Sequence, residues 1–164
     1  MLRTFAFLVL VFAAGLPARA HADPIRDALD AVDHADFTTA FQLFRPLAEA
    51  GDAVAAYNLG ILYGSGRGVD RDDVEAIKWF KRAAGQGHTG ALFNLGIAYA
   101  QGQGTQRDLV HAYAYFDLAS ASKDIAAPRA ARARDTLVSA MTPIALAQAK
   151  ELASRCQADF RACE

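Results

Sequence analysis

The side chains in this sequence that are most capable of chemistry are scattered. His34, His88 and His111 stand far apart, and none has a second histidine four residues away or a cysteine beside it. A metal site or a catalytic base needs several such groups in one place, so only the fold could assemble one here. The sequence therefore predicts no metal site and no cofactor.

One serine and one lysine have the spacing of a catalytic motif. Ser120 and Lys123 match S-x-x-K, in which a lysine assists the serine nucleophile of penicillin-recognising enzymes. The S-D-N and K-T-G elements that complete such a site are absent from the sequence. We therefore predict a chain that is not an enzyme. A penicillin-recognising or cell-wall hydrolase that uses Ser120 and Lys123 is the alternative.

A glycine motif in the middle of the chain has the form of a nucleotide-binding loop. Residues 85–90 match G-x-G-x-x-G. A dinucleotide site requires a β-strand before this motif, because the turn must aim the following helix at the pyrophosphate. The preceding residues, 76–84, have helical apolar spacing instead. The motif is therefore interpreted as a turn between two helices.

Length, composition and charge limit the class of protein. The chain has 164 residues, 53% of them hydrophobic, which suits one folded domain with a real core. There are 17 Lys and Arg residues against 18 Asp and Glu residues, for a formal net charge of −1. A nucleic-acid-binding domain usually carries a strong positive excess. We therefore expect no nucleic-acid partner.

The first 22 residues have the pattern of a secretory signal peptide. Arg3 precedes an uncharged apolar run, 5–16, and A-x-A cleavage sites end at Ala20 and at Ala22. The run is shorter than the roughly 20 residues needed to span a membrane, so an uncleaved anchor is the less favoured alternative. We expect an exported protein, periplasmic or secreted, whose mature part is residues 23–164 and contains no membrane span.

The strongest signal in the sequence is an internal repeat. When residues 40–75 are placed above residues 76–111 without gaps, 15 of the 36 positions are identical. Apolar residues in both copies follow the helical period, and no segment alternates as a strand would. The segments 66–68 and 102–104, each G-x-G, predict helix ends, and Asp72 and Asp108 predict the N-caps of the helices that follow.

Two further glycines occupy the middle of predicted helices at equivalent positions of the two copies, Gly60 and Gly96. A glycine in a helix interior costs about 1 kcal/mol relative to alanine. Its recurrence at the same place predicts that a neighbouring helix lies close against the backbone there. The predicted architecture is a set of antiparallel helix pairs stacked side by side.

This repeat resembles the Sel-one-like repeat family, a relative of the tetratricopeptide class. The residues that carry the resemblance are Ala55, Leu59, Gly60, Tyr63, Gly66, Gly68, Asp72, Ala76, Trp79, Phe80, Ala83 and Ala84. The resemblance implies an all-α fold, a right-handed αα-superhelix. It gives full repeats at 53–88 and 89–124 and a half repeat at 36–52. Capping helices are expected at 24–33 and 125–156.

A second stripe of residues lies beside the core stripe on the first helix of each repeat. Its members pair amide or hydroxyl groups with aliphatic side chains: Asn58, Ile61 and Ser65, then Asn94, Ile97 and Gln101. Such a surface suits an extended peptide or a partner helix. The resemblance implies the same, since related tetratricopeptide grooves hold ligands with asparagine ladders.

The first helix of each pair usually lines the inner surface of a curved helix stack. The function predicted from this stripe is therefore a non-catalytic scaffold of the bacterial cell envelope that binds a protein or peptide partner on the concave face of the stack. In an alternative interpretation, Asn58 and Asn94 bond to the backbone of the neighbouring repeat and brace the fold. End-to-end stacking of copies into an assembly is a further possibility.

Two cysteines lie near the end of the chain, Cys156 and Cys163. In an oxidising compartment two thiols in one chain often pair. Seven residues of helix would separate their Cα atoms by about 10.5 Å, beyond the roughly 4.4–6.8 Å that a disulfide allows. We therefore predict that the last helix, which opens at Thr142-Pro143, ends around 157–160 and that the tail folds back to close a disulfide.

Overall fold

The computed structural model describes residues 23–163, which form eight α-helices and no strand. The first four helices are α1 (Pro24–Asp33), α2 (Phe37–Glu49), α3 (Ala53–Ser65) and α4 (Asp73–Ala84). The next four are α5 (Thr89–Gln101), α6 (Leu109–Ser120), α7 (Ala127–Val138) and α8 (Pro143–Ala158), followed by a short 3₁₀ helix, Phe160–Cys163. The predicted all-α fold is confirmed. The predicted signal peptide lies outside the described residues.

Consecutive helices pack as pairs, and the pairs stack in chain order. Helix α1 packs on α2, α3 on α4 and α5 on α6, while contacts of α2 with α3 and of α4 with α5 join neighbouring pairs. Helices α7 and α8 both pack on α6 and close the C-terminal end of the stack. The result is a helical-repeat solenoid.

The helix boundaries follow from the caps that the sequence supplies. The Asp72 carboxylate accepts hydrogen bonds from the backbone N–H groups at the start of α4, and Asp108 does the same at the start of α6. Gly66 and Gly102 end α3 and α5 in the left-handed conformation, at φ 67° and φ 73°. Only glycine adopts this conformation routinely, so both sets of boundary predictions are confirmed.

The mid-helix glycines mark the closest helix contacts. A Cβ atom added at Gly60 would lie 2.7 Å from the ring of Phe80, and one at Gly96 would lie 2.5 Å from the ring of Phe116. A side chain at either position would therefore displace the ring or the helix that carries it. The predicted close approach is confirmed in both repeats.

One apolar core runs through the stack from α1 to the C-terminal tail. Its largest fully buried side chains are Phe44, Leu59, Leu95, Tyr115, Cys156 and Cys163. Leu59 and Leu95 are equivalent residues of the two copies, and both are completely buried. None of the helices in residues 23–163 is both long enough and apolar enough to cross a membrane.

The C-terminal tail folds back as the cysteine spacing predicts. Helix α8 begins at the Thr142 N-cap and ends at Ala158, between the two cysteines. The Cα atoms of Cys156 and Cys163 lie 5.2 Å apart, and the sulfur atoms are joined as a disulfide. The Tyr115 hydroxyl, on α6, donates a buried hydrogen bond of 3.0 Å to the Cys163 carbonyl oxygen. The tail is thereby fixed to the last full repeat.

Candidate functional site

A cleft of about 240 Å³ opens between the first helices of the two full repeats. Helix α3 forms one wall and α5 the other, while α4 lies across the bottom. The apolar floor consists of Ala76, Ile77 and Phe80. Gly60 and Gly64 on the α3 wall have no side chains, so the floor is accessible from the surface. The cleft can therefore take an inserted apolar side chain.

The walls of the cleft are free of charged side chains. Neither α3 nor α5 contains any Asp, Glu, Lys or Arg residue. A helix that is apolar on most sides is normally buried on most sides, yet one face of each of these helices borders the open cleft. The polar groups on the rim are Ser65, Asp73, Asn94 and Gln103. Such a surface is suited to a neutral, partly apolar ligand.

The two asparagines of the predicted stripe behave differently. The Asn58 amide nitrogen donates to the Val54 carbonyl oxygen of its own helix at 2.9 Å, and Asn58 does not line the cleft. The Asn94 side chain lines the cleft and makes no hydrogen bond to any residue between 23 and 163. Its amide N–H₂ group and its carbonyl oxygen are therefore available to a ligand.

The cleft brings together four of the six residues proposed from the sequence: Ile61, Ser65, Asn94 and Ile97. Gln101 lies at the end of α5, exposed and outside the cleft. The Ser65 hydroxyl donates to the Ile61 carbonyl at 2.7 Å, so its oxygen is left to face solvent as an acceptor. The hydrogen bonds of Asn58 and Ser65 are thus made within α3, and not to a neighbouring repeat.

Sequence reasoning missed the floor of the cleft and part of its rim, above all Ile77, Asp73 and Gln103. A signal for Ile77 was present, because the 36-residue spacing places it at the position of Phe41 in the preceding helix pair and of Tyr113 in the following one. An aliphatic residue between two aromatic equivalents leaves more room at this level of the stack. The rim carboxylate of Asp73 is held in a bidentate ion pair by Arg71.

The serine and lysine of the S-x-x-K match serve other contacts. The Ser120 hydroxyl donates to the Asp117 carbonyl at 2.7 Å and accepts from Arg134 at 3.2 Å. Lys123 is exposed in the turn after α6 and makes no hydrogen bond to the described residues. Ser120 is thus bonded to its own helix and to α7, and the structure shows no hydrogen bond between Ser120 and Lys123.

The glycine motif at residues 85–90 forms the turn between α4 and α5, at 85–88, and the first two residues of α5, with no strand before it. His88 in this turn caps α5 with its ring, which stacks on Tyr57 at 4.2 Å. Burial lowers the pKa of His88, an effect opposed by the negative charge of Asp124. His111 is bonded to Asp108 at 2.7 Å. No group of three His, Cys, Asp or Glu side chains within residues 23–163 is placed to hold a metal ion.

The helix pairs, their glycine contacts and the cleft between successive pairs define an α-helical repeat protein of the solenoid class. The model of the Sel1 repeat matches residues 29–52, 53–88 and 89–124. The chain therefore belongs to the Sel1 repeat family, as the sequence resemblance predicted. Proteins of this family usually serve as protein-interaction scaffolds and are generally non-enzymatic.

The solved structures that share the fold include the following two. One is a protective antigen of uropathogenic Escherichia coli with an SLR fold, at a TM-score of 0.75 and 30% identity over 82% of this chain and 30% of that chain. The other is a Sel1 repeat protein from Oxalobacter formigenes, at a TM-score of 0.58 and 27% identity over 60% of this chain and 39% of that chain. The chain thus spans less than half of either protein. No curated protein matches the sequence.

Proposed function

We propose that this chain is a non-catalytic scaffold of the bacterial cell envelope that holds an extended segment of a partner protein in the cleft between α3 and α5. The observation that carries the proposal is Asn94, a cleft-lining amide without a hydrogen-bond partner in the described residues, next to an open apolar floor. Scaffolding by protein contacts is also the usual role of the family.

The geometry suits recognition of a peptide backbone together with one apolar side chain. The Asn94 amide offers a donor and an acceptor, which match the C=O and N–H groups of an extended chain. The floor at Ile77 and Phe80 offers apolar contact to a side chain that enters the cleft. Because α3 and α5 contain no charged side chain, a neutral segment can bind between them without burying an unpaired charge.

The envelope location is supported by residues 1–22 and by the cysteine pair. The signal-peptide pattern predicts export, and disulfides persist chiefly in oxidising compartments. We expect the mature protein, recovered from a periplasmic fraction of the native host, to begin after Ala20 or Ala22. Intact-mass measurement tests this, and a full-length chain found only in the cytosol would contradict it.

The binding role is tested with a peptide selected on the purified mature protein by phage display. We expect Asn94→Ala to weaken binding of that peptide about tenfold, the worth of a good hydrogen bond to a partner. Asn58→Ala is the matched control, because that amide is already bonded within α3. Calorimetry in which both variants bind like the wild type, or lose binding equally, would overturn the role given to this cleft.

A further inference from the structure

Helix α4 carries a basic face that the cleft does not use. Lys78, Lys81 and Arg82 line a surface depression of about 510 Å³ together with Gln86 and Phe160. No carboxylate is among its lining residues. At 100° per residue, this face is centred about 150° around α4 from the residues that floor the cleft. The two surfaces therefore lie on nearly opposite sides of the helix.

The cations on this face are only partly neutralised. Lys78 is paired with Glu75 of the same helix. The Arg82 guanidinium lies 4.5 Å above the Trp79 ring, which holds the side chain in place without cancelling its charge. Lys81 makes no ion pair within residues 23–163. Two positive charges thus remain available to an outside group.

The fold does not require these cations. Basic residues in a last turn complement the helix macrodipole, which would be the structural reason for them. The equivalent helix α6 has the same length of 12 residues and no basic residue in its last turn. Its residues at the three positions are Ala114, Asp117 and Leu118. The same helix is therefore built without the basic face.

An apolar depression of about 360 Å³ adjoins the basic one, and Gly85 and Phe160 line both. Its further lining includes Leu92, Leu118 and Cys156. Phe160 belongs to the tail that the disulfide and the Tyr115 hydrogen bond hold against α6. Positive charge and apolar surface thus meet around one aromatic ring, whose position depends on the disulfide.

We propose that this composite surface is a second docking site, which binds an acidic segment of a partner protein that carries a neighbouring aliphatic residue. Acidic side chains pair with Lys81 and Arg82, and the aliphatic residue packs on Phe160 and Leu92. Both depressions are broad and open to solvent, a shape that fits a chain segment laid across them better than an enclosed lipid tail. A chain with two such faces can hold two partners at once.

The probe is a fluorescein-labelled peptide with the core sequence Asp-Glu-Leu-Leu-Glu-Asp, followed by anisotropy on the oxidised mature protein. There are two control peptides. In one, Asn and Gln replace the acidic residues, and in the other, serine replaces both leucines. We expect the labelled acidic peptide to bind at least tenfold more tightly than either control peptide. Lys81→Glu should weaken its binding at least tenfold, and reduction of the disulfide should weaken it severalfold because Phe160 is released.

Arg26→Glu provides the control variant, since it makes the same charge change on the exposed face of α1. It should leave binding unchanged, and circular dichroism should show all variants folded. Equal affinity for the amide peptide, or equal loss in the Arg26→Glu and Lys81→Glu variants, would overturn the proposal. Preferential binding to vesicles of phosphatidylglycerol would overturn it in favour of a lipid surface. Self-association of the protein that Lys81→Glu abolishes would also overturn the proposal, because the surface would then bind a second copy of this chain.

Discussion

The two full repeats, residues 53–88 and 89–124, share the glycines that end their first helices, the aspartates that cap their second helices and one fully buried leucine each. They differ on their surfaces. Gly60 and Gly96 admit an aromatic ring of the partner helix in the same way. In contrast, Asn58 is bonded within its own helix, whereas its equivalent Asn94 is free and borders the cleft. The glycines that are identical in the two repeats pack in the same way and hold the stack together. The asparagines are identical too, but only the one in the second repeat offers its amide to a ligand.

The substituted positions are those that shape the surfaces. Where α4 has Ile77 under the cleft, α6 has Tyr113, and where α4 has Lys81, α6 has Asp117. Asp117 pairs with Arg134 of α7 at 2.8 Å, so this position on α6 is used to attach the C-terminal cap. At this position the repeat 53–88 keeps a basic residue at the surface, whereas the repeat 89–124 uses the equivalent residue to attach α7.

The largest expected effect comes from opening the tail that covers α6. The Cys156→Ser, Cys163→Ser double variant should lose about 2.5 kcal/mol of unfolding free energy, since the bond restrains a short loop of the unfolded chain. Urea denaturation measures this loss. Hydrogen exchange should rise in α6, where Tyr115 loses its fixed acceptor, and remain unchanged in α3. Two free thiols by intact mass in the oxidised monomer would contradict the pairing itself.

The next largest effect tests the shared glycines. Gly60→Ala and Gly96→Ala should each destabilise the protein by about 2 kcal/mol, because the added methyl overlaps a buried ring and overpacking of this kind costs 1–3 kcal/mol. Gly64→Ala is the matched control in α3, since its Cβ would lie at an ordinary 3.6 Å from the Ala76 Cβ. That variant should gain up to about 1 kcal/mol from helix propensity.

Thermal or urea melts of the three glycine variants measure these differences. A loss in only one of the Gly60 and Gly96 variants would mean that the two pairs do not pack alike. A loss of similar size in Gly64→Ala would mean that side-chain bulk anywhere on α3 is harmful, and the ring contacts would then not be the cause.

Much of the fold could be predicted because local chemistry fixes it. Asp72 and Asp108 start helices because their carboxylates accept from the first backbone N–H groups, and Gly66 and Gly102 end helices because other residues resist a positive φ. The return of the tail followed from the distance that a disulfide can bridge. These features depend on a few neighbouring residues, which the sequence displays directly.

The site was less accessible to prediction because it depends on contacts between distant residues. The stripe on α3 and α5 was visible from the helical period, but the floor beneath it is supplied by α4. Asn58 and Asn94 occupy identical positions of the repeat, yet one bonds its own helix and the other borders the cleft, so the position alone does not predict the contact. His88 as a helix cap was also missed, because histidine is not among the residues favoured at N-caps.

An exchange of floor residues tests the open cleft at a smaller cost in stability. Ile77→Tyr gives the floor of the cleft the residue type that α6 has at the equivalent position. It should weaken binding of the selected peptide about tenfold, which corresponds to about 1.4 kcal/mol. The melting temperature should change little, because the new ring enters existing space. Tyr113→Ile is the counterpart in α6 and should leave peptide binding intact. Unchanged binding in Ile77→Tyr would show that the peptide does not use the floor.

The smallest effect distinguishes the caps of the two repeats. Asp52 caps α3 through a 2.7 Å bond from the Ala55 N–H, whereas the neutral His88 ring accepts from the Ala91 N–H at 3.3 Å. Burial lowers the pKa of His88 in the folded protein. As the pH falls, this histidine is therefore protonated in the unfolded chain before it is protonated in the folded one, and the folded state loses stability. The contribution of His88 is complete above the ordinary histidine pKa of about 6.5 and declines below it.

In His88→Asp this decline should disappear, because a carboxylate keeps its acceptor oxygen throughout the same pH range. Melting temperatures measured at pH 7.5 and pH 5.5 should therefore differ less for this variant than for the wild type. Since the variant also loses the ring stacked on Tyr57, the comparison uses the pH difference within each protein and not the absolute temperatures. An equal pH difference in both proteins would mean that another group titrates, and the cap of α5 would then be as insensitive to acid as that of α3.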